Sequence, residues 1–291
     1  MRFQKFFLPL LALILAGCSV ISSLQPTATP TATPAPPTPT PVPAAAIVNG
    51  EVIPLEEFNA SLQQLQAAHQ ETGVTATPEE QKQLVLDDLI AQTLLAQAAI
   101  QAGHAVEDAA LQTRIDELSA ALGGQDKLAD WIIRNGYNDG SFRSALRRSM
   151  LAAWQRDNLL AAVPRTAEQI HARQILVLRE QTANDLYAQL QAGADFATLA
   201  YRYDPLTGGD LGWFPRGGLT QPAVEEAAFS LETGSFSAVI PTSFGYQIVQ
   251  VIERDPARPL SPEALLNAQQ QALLDWVAQQ KASAGISVQV P

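Results

Sequence analysis

The chain has 291 residues, 47% hydrophobic and 16% charged, with one cysteine and three histidines. The apolar fraction excludes global disorder, the lone cysteine excludes an internal disulfide, and three histidines are too few to imply a structural metal cluster. A net charge of −11 repels nucleic acid and anionic lipid, so neither is expected as a direct partner.

Arg2 and Lys5 precede an apolar run from Phe6 to Gly17. A membrane span needs about 20 residues, so this shorter run reads as a cleaved signal. Leu15-Ala16-Gly17-Cys18 resembles the lipobox of bacterial lipoproteins, which implies lipidation of Cys18. The alternative is a plain secretory signal with an incidental cysteine. A multiply acylated cysteine would anchor stably, since each buried methylene contributes about 0.8 kcal/mol and one chain is insufficient. Residues 26–46 contain only Pro, Thr, Ala and one Val. Such a stretch reads as an extended spacer, ~3.1 Å per residue and up to ~65 Å in all.

Ile47 to Ile53 predicts two short strands around an Asn49-Gly50 turn. Helical patterns follow to Val163. Leu55, Phe58, Leu62 and Leu65 recur at helical spacing. Thr77-Pro78-Glu79-Glu80 starts a helix with Pro in its first position. Further helices are expected at 107–122, 125–135 and 139–162, the last capped by Asp139 or Ser141. Beyond Pro164 the pattern predicts a strand at Ile170–Leu178, helices at 182–192 and 195–203, and a Gly-rich turn. Paired strands at Phe236–Ile240 and Gly245–Ile252 are joined by a turn at 241–244. Pro262 to Ala282 is helical again, and its Leu265, Leu273 and Trp276 need a partner. The fold class is therefore α+β: a mostly helical domain closed by a returning C-terminal helix, with a small four-stranded sheet domain inserted in it. The expected boundaries are 1–17 signal, 18–46 spacer, 47–163 helical domain, 164–255 sheet domain and 256–291 returning helix.

Five blocks in the second region carry a resemblance. They are Ala172-Arg173-Gln174-Ile175-Leu176-Val177, Asp195-Phe196-Ala197-Thr198-Leu199-Ala200, Gly208-Gly209-Asp210-Leu211-Gly212-Trp213-Phe214, Ala227-Ala228-Phe229-Ser230-Leu231, and Thr242-Ser243-Phe244-Gly245-Tyr246-Gln247-Ile248-Val249. In order and spacing they resemble the parvulin family of peptidyl-prolyl isomerases. With the lipobox, spacer and helical arm, the whole is similar to extracytoplasmic foldases of the PrsA and SurA kind. The resemblance implies an isomerase without cofactor, anchored to the bacterial cell membrane, whose partners are unfolded or newly secreted proteins with X-Pro segments.

The chain departs from the family pattern where the chemistry sits. Gln174 and Gln247 stand where the family has histidines, and Asp204 matches a loop Cys or Asp. Thr242 completes the polar set. The proline-ring pocket matches Leu219, Val224, Phe229 and Phe244, with Val224 in place of an aromatic wall. His171 differs in strand parity from Gln174 and points away from the pocket. His69 and His104 read as solvent-facing helix residues.

Rotation of a prolyl bond breaks no covalent bond, so an apolar grip and a dry floor can assist it without acid–base groups. The two glutamines can bond each other or Thr242. Weak or absent catalysis with retained substrate binding is expected. The alternative is a non-catalytic chaperone or peptide-binding lipoprotein. A solute-binding lipoprotein is disfavoured by the long helical stretch. Arg143, Arg147 and Arg148 read as a solvated helix face. Asp87-Asp88 and Glu225-Glu226 read as surface charge, since adjacent helix residues do not face each other. Trp131 and Trp154 read as core, and Trp213 as a packing residue beside the turn.

Overall fold

The computed structural model describes residues 43–290. The signal-like run, Cys18 and the spacer as far as Val42 lie outside the described residues. Strands β1 (Ala44–Val48) and β2 (Glu51–Pro54) form the expected hairpin, with positive φ at Asn49 (52°) and Gly50 (86°), as a primed turn requires. Strand β1 starts inside the stretch assigned to the spacer. Ala45 and Ala46 are fully buried there. Their small side chains need little room, and the backbone pairing supplies what their composition does not.

Helix α1 (Leu55–Thr72) follows directly, and α2 (Pro78–Gln101) opens on a capping box. In it the Thr77 N–H donates to Glu80 (2.7 Å) and the Glu80 N–H donates to the Thr77 hydroxyl (3.2 Å). Helices α3 (Asp108–Leu122), α4 (Gln125–Arg134) and α5 (Asp139–Ala162) lie within a residue of their expected ranges. The cap of α5 is neither Asp139 nor Ser141 but Asn138, whose side chain accepts from the Ser141 N–H (2.9 Å) while Ser141 Oγ accepts from the Asn138 N–H (3.0 Å). Leu86, Leu89, Ile90 and Leu94 of α2 pack on Val48, Ile53 and Phe58. A second cluster joins Leu111, Ile115, Leu128 and Phe142, with Trp131 edge-on to Phe142. His104 is not on a helix: it lies in the turn after α2, stacked on Trp154 at 4.3 Å.

The basic run on α5 divides. Arg143 and Arg147 stay at the surface, paired with Asp139 and Asp108. Arg148 is only 8% exposed and forms an ion pair with Glu57 of α1, itself 5% exposed. Position 148 shares the inward stripe of α5 with Leu151 and Ala152, which are also buried. Burial pushes the guanidinium below its ordinary value, opposed by the nearby charge of Glu51.

The inserted sheet consists of β3 (Thr166–Val177), β4 (Asp210–Pro215), β5 (Ile240–Thr242) and β6 (Gly245–Pro259), in the order β4-β3-β6-β5 and antiparallel throughout. Helices α6 (Glu180–Gln191) and α7 (Phe196–Tyr203) cover one face, with Leu186 and Leu199 against Ile175, Val177 and Ile248. Helix α8 (Pro222–Ser230) covers part of the other, over Ile170, Ala172, Val249 and Val251. The expected strand at 236–240 is reduced to an isolated bridge, Phe236 to Gln250, and β5 begins only at Ile240. Ser237 is the cause: its hydroxyl accepts the Val249 N–H (3.0 Å), a bond that a regular ladder would give to a carbonyl.

Helix α9 (Pro262–Ser283), capped by Ser261, returns to the helical region. None of its residues is fully buried. It is tied to α5 by the Gln269 amide, which donates to the Leu160 carbonyl (3.0 Å), and to α2 by Lys281 with Asp87 (2.5 Å). Strand β7 (Ile286–Val288), absent from the sequence reading, then pairs with β1 to give a sheet of order β2-β1-β7.

Removing one partner of a buried ion pair strands the other charge, at a cost of about 3–5 kcal/mol. Arg148→Ala is expected to lose that much stability in urea unfolding. Arg143→Ala, at the surface, should change it by less than about 1 kcal/mol.

Candidate active site

Alternation along β3 assigns each side chain a face. Ile170, Ala172, Gln174 and Leu176 point toward the α8 side, and His171, Arg173, Ile175 and Val177 point the other way. On β6, Gln247 is paired with Leu176 and Val249 with Gln174. Gln174 and Gln247 therefore share one face as diagonal neighbours on adjacent strands. Gln247 is 4% exposed, and its amide donates to Thr242 Oγ1 at 3.3 Å. Thr242 Oγ1 donates in turn to the Gly245 carbonyl (2.8 Å). Of the two partners foreseen for the glutamines, Thr242 is the one engaged by Gln247.

Exposure rises along this face as α8 gives out. Ile170 and Ala172 are fully buried and Gln174 half-buried, while Leu176 is exposed and Leu178 is 82% exposed. Phe244, at the turn between β5 and β6, is 58% exposed. Leu219 is half-buried against the α8 cluster. Two of the residues expected to line a pocket are placed differently. Val224 is 1% exposed and Phe229 is buried, both inside the core between α8 and the sheet. They point inward because α8 needs its 224, 228, 229 stripe to cover Val249 and Val251.

Asp204 ends α7, and the structure ties its carboxylate into its own loop. It accepts from the N–H groups of Leu206 (3.1 Å) and Thr207 (3.2 Å) and from the Thr207 hydroxyl. These bonds, the Thr207 hydroxyl foremost, hold its carboxyl below the usual carboxylate range. The loop returns at Gly209, whose carbonyl accepts the Gln174 N–H (2.8 Å). A Cβ at Gly209 would stand 2.0 Å from the Gln174 carbonyl oxygen, and its φ is +72°. Only glycine allows this close approach.

Glu225 is not mere surface charge. Its two oxygens accept the N–H groups of Gly217 (2.8 Å) and Leu219 (3.0 Å) in the segment before α8. Nothing in the local sequence signals this, because the acceptor lies six to eight residues after the donors.

His171 lies on the opposite face. Its Nε2 is 2.8 Å from Asp210 and its Nδ1 3.7 Å from Glu253, and the ring stacks on Trp213 (5.6 Å). Arg258 covers Trp213 at 4.2 Å. Trp213 is thus a packing residue of that face. A cleft of about 800 Å³ between Trp213, Pro215 and α9 lies away from the glutamines. Among the described residues no cluster of three His, Cys, Asp or Glu side chains could hold a metal ion.

A family model described as a PPIC-type PPIASE domain matches residues 159–255, and one described as a SurA-like N-terminal domain matches residues 40–143. The chain is 30% identical over 275 residues to a foldase protein PrsA of Caldanaerobacter subterraneus, covering 82% of this chain and 80% of that protein. It is 35% identical over 137 residues to a chaperone SurA of Methylobacillus flagellatus, covering 40% of this chain but only 31% of that one. A crystal structure of PrsA from Bacillus cereus is similar with 21% identity, 81% and 85% coverage and a TM-score of 0.45.

Two outcomes follow from the loop. Gly209→Ala should cost about 2–4 kcal/mol through left-handed strain and overpacking, read by thermal unfolding. Asp204 has a depressed carboxyl pKa, so its support for the loop is complete above the ordinary carboxylate pKa of about 3.9 and is lost as pH falls through the lowered value. The Thr207 amide resonance should therefore stay constant from pH 8 to 5 and move only in stronger acid.

Proposed function

The chain belongs to the family of PrsA-type foldases, with a SurA-like N-terminal region and a PPIC-type peptidyl-prolyl isomerase domain, and from that premise we propose that it is a membrane-anchored extracytoplasmic folding factor. On this reading the sheet face at Gln174 and Gln247 binds X-Pro segments of newly secreted or unfolded clients and isomerises them weakly. The observation that carries the reading is the placement of both glutamines on one face, beside Thr242 and the exposed ring of Phe244.

The barrier to prolyl rotation is set by amide resonance, about 18–20 kcal/mol for an ordinary peptide bond. A surface that holds the ring and withdraws water from the carbonyl lowers that barrier by favouring the twisted geometry. Leu219 and Phe244 offer the apolar contact, Val224 and Phe229 support it from below, and the Gln247–Thr242 bond keeps the polar floor satisfied. Gln174 remains able to donate to, or accept from, a client backbone. Asp204 keeps its charge within the loop and shapes it. The two histidines of the family pattern are replaced, so no imidazole is available for proton exchange at those positions.

The resemblance of Leu15–Cys18 to a lipobox supports anchoring through Cys18. Among the described residues no helix is long and apolar enough to cross a membrane. The spacer would hold the folded part off the surface.

A second reading, a non-catalytic chaperone or peptide-binding lipoprotein, is favoured by a cleft of about 600 Å³ in the helical region. Leu65, Leu84, Leu89, Trp131, Phe142 and Leu146 are among its walls.

A protease-coupled tetrapeptide assay on the full chain separates the two. The proposed weak isomerase should give a measurable rate that is flat between pH 5 and 8, where histidine is the side chain that ordinarily titrates. Gln174→His with Gln247→His should raise it. Val224 is left unchanged because a Phe there would overpack the core. A wild-type rate at the uncatalysed level, with client refolding still assisted, would favour the chaperone reading.

A further inference from the structure

We propose that Glu225 is a positioning residue for the proline-binding surface, setting where Leu219 stands. The inference rests on the functional reading above, which takes Leu219 as part of that surface.

The segment from Arg216 to Gln221 connects β4 to α8 without belonging to either. Its alternate N–H groups, at 217 and 219, find no ladder partner. Both go to one carboxylate: Gly217 N–H to Oε1 at 2.8 Å and Leu219 N–H to Oε2 at 3.0 Å. Each oxygen takes one donor, so the carboxylate plane dictates the spacing and direction of the two amides. Charged acceptors make such bonds roughly twice as strong as neutral ones. Between the two donors, Gly218 is folded against β4. Its N–H donates to the Pro215 carbonyl (3.0 Å), and a Cβ would meet that oxygen at 2.8 Å and Phe214 Cβ at 2.9 Å. The turn is therefore closed on one side by β4 and on the other by Glu225.

Glu225 is itself held firmly. Its neighbour Val224 is buried in the core, as are Ala228 and Phe229 one turn on. Arg216 adds an outer tie, lying 4.4 Å over the Phe229 ring and pairing with Glu226. A glutamate in the first turn of a helix would ordinarily serve the helix dipole. Here both oxygens are spent on the preceding segment, so the helix orients the loop. Leu219 receives its backbone position from this clamp, and its side chain then packs against the α8 cluster.

Glutamine at this position is isosteric but replaces one of the two acceptor oxygens by an NH2 donor, so it cannot offer each amide an oxygen of its own. The test is peptide titration of the full chain, with succinyl-Ala-Ala-Pro-Phe as probe, followed by amide chemical shifts. Glu225→Gln is expected to move the Gly217 and Leu219 resonances and to weaken peptide binding about tenfold. Glu225→Asp keeps both acceptor oxygens and should recover part of the affinity. Leu219→Ala should weaken binding similarly, and Glu225→Gln should add nothing in that background, because the two act through one side chain. Unchanged affinity in Glu225→Gln, or losses that simply add, would overturn the role while leaving the functional reading intact. Failure of the wild-type protein to bind the peptide would overturn the functional reading and this role with it.

Discussion

The antiparallel pairing of β3 with β6 is the constraint on which the rest of the inserted domain depends. Two long strands, Thr166–Val177 and Gly245–Pro259, run side by side through nearly their full lengths. Alternation along them, reset by bulges between Ala167 and Gln169 and between His171 and Ala172, decides which side chains meet α6 and α7, which meet α8, and which are left facing outward. A slip of one residue would exchange the two faces wholesale. The register is secured by apolar residues on both sides of the sheet, Ile175 and Ile248 on one and Ala172 and Val249 on the other. Both glutamines owe their common face to that register, and His171 owes its exclusion from it to the same rule.

Polar groups in this molecule are placed where the backbone would otherwise lack partners. Asp204 organises the loop that brings Gly209 onto Gln174, and Glu225 organises the turn that carries Leu219. Ser237 takes over a ladder bond from β6. The surface around Gln247 is thus shaped by carboxylates and hydroxyls that point into loops. A prolyl isomerase asks for geometry more than for proton transfer, and such an arrangement suits that demand.

The helices of the amino-terminal half were legible because their signals are local. Thr77 and Glu80 are three residues apart, and Gly123, at φ 94°, caps the end of α3. The sheet domain was legible through blocks whose order carries the resemblance. What escaped reading depends on partners distant in sequence. Arg148 looks like its neighbours Arg143 and Arg147 until Glu57, 91 residues earlier, is brought beneath it. The burial of Val224 likewise depends on the packing of α8 over Val249 and Val251. Three residues, Ile286 to Val288, are too few to announce a strand without β1 beside them. In the same way, the three alanines before Ile47 have no composition that marks them as sheet.

The pairing of β1 with β7 joins residues 46–48 to 286–288, almost the whole described chain apart. During synthesis from the amino end, the first strand must wait for the last before its outer edge is satisfied. Closing so long a loop is slow, although its entropic cost grows only with the logarithm of length. The inserted domain makes the wait shorter in effect. Its own strands lie within one continuous stretch, and once formed they bring Arg165 and Leu260 within a hydrogen bond of each other, 2.9 Å. That hydrogen bond reduces the span to be closed to the residues flanking it. A folding helper built this way has its own maturation scheduled by its topology, with the middle assembled before the two ends can latch.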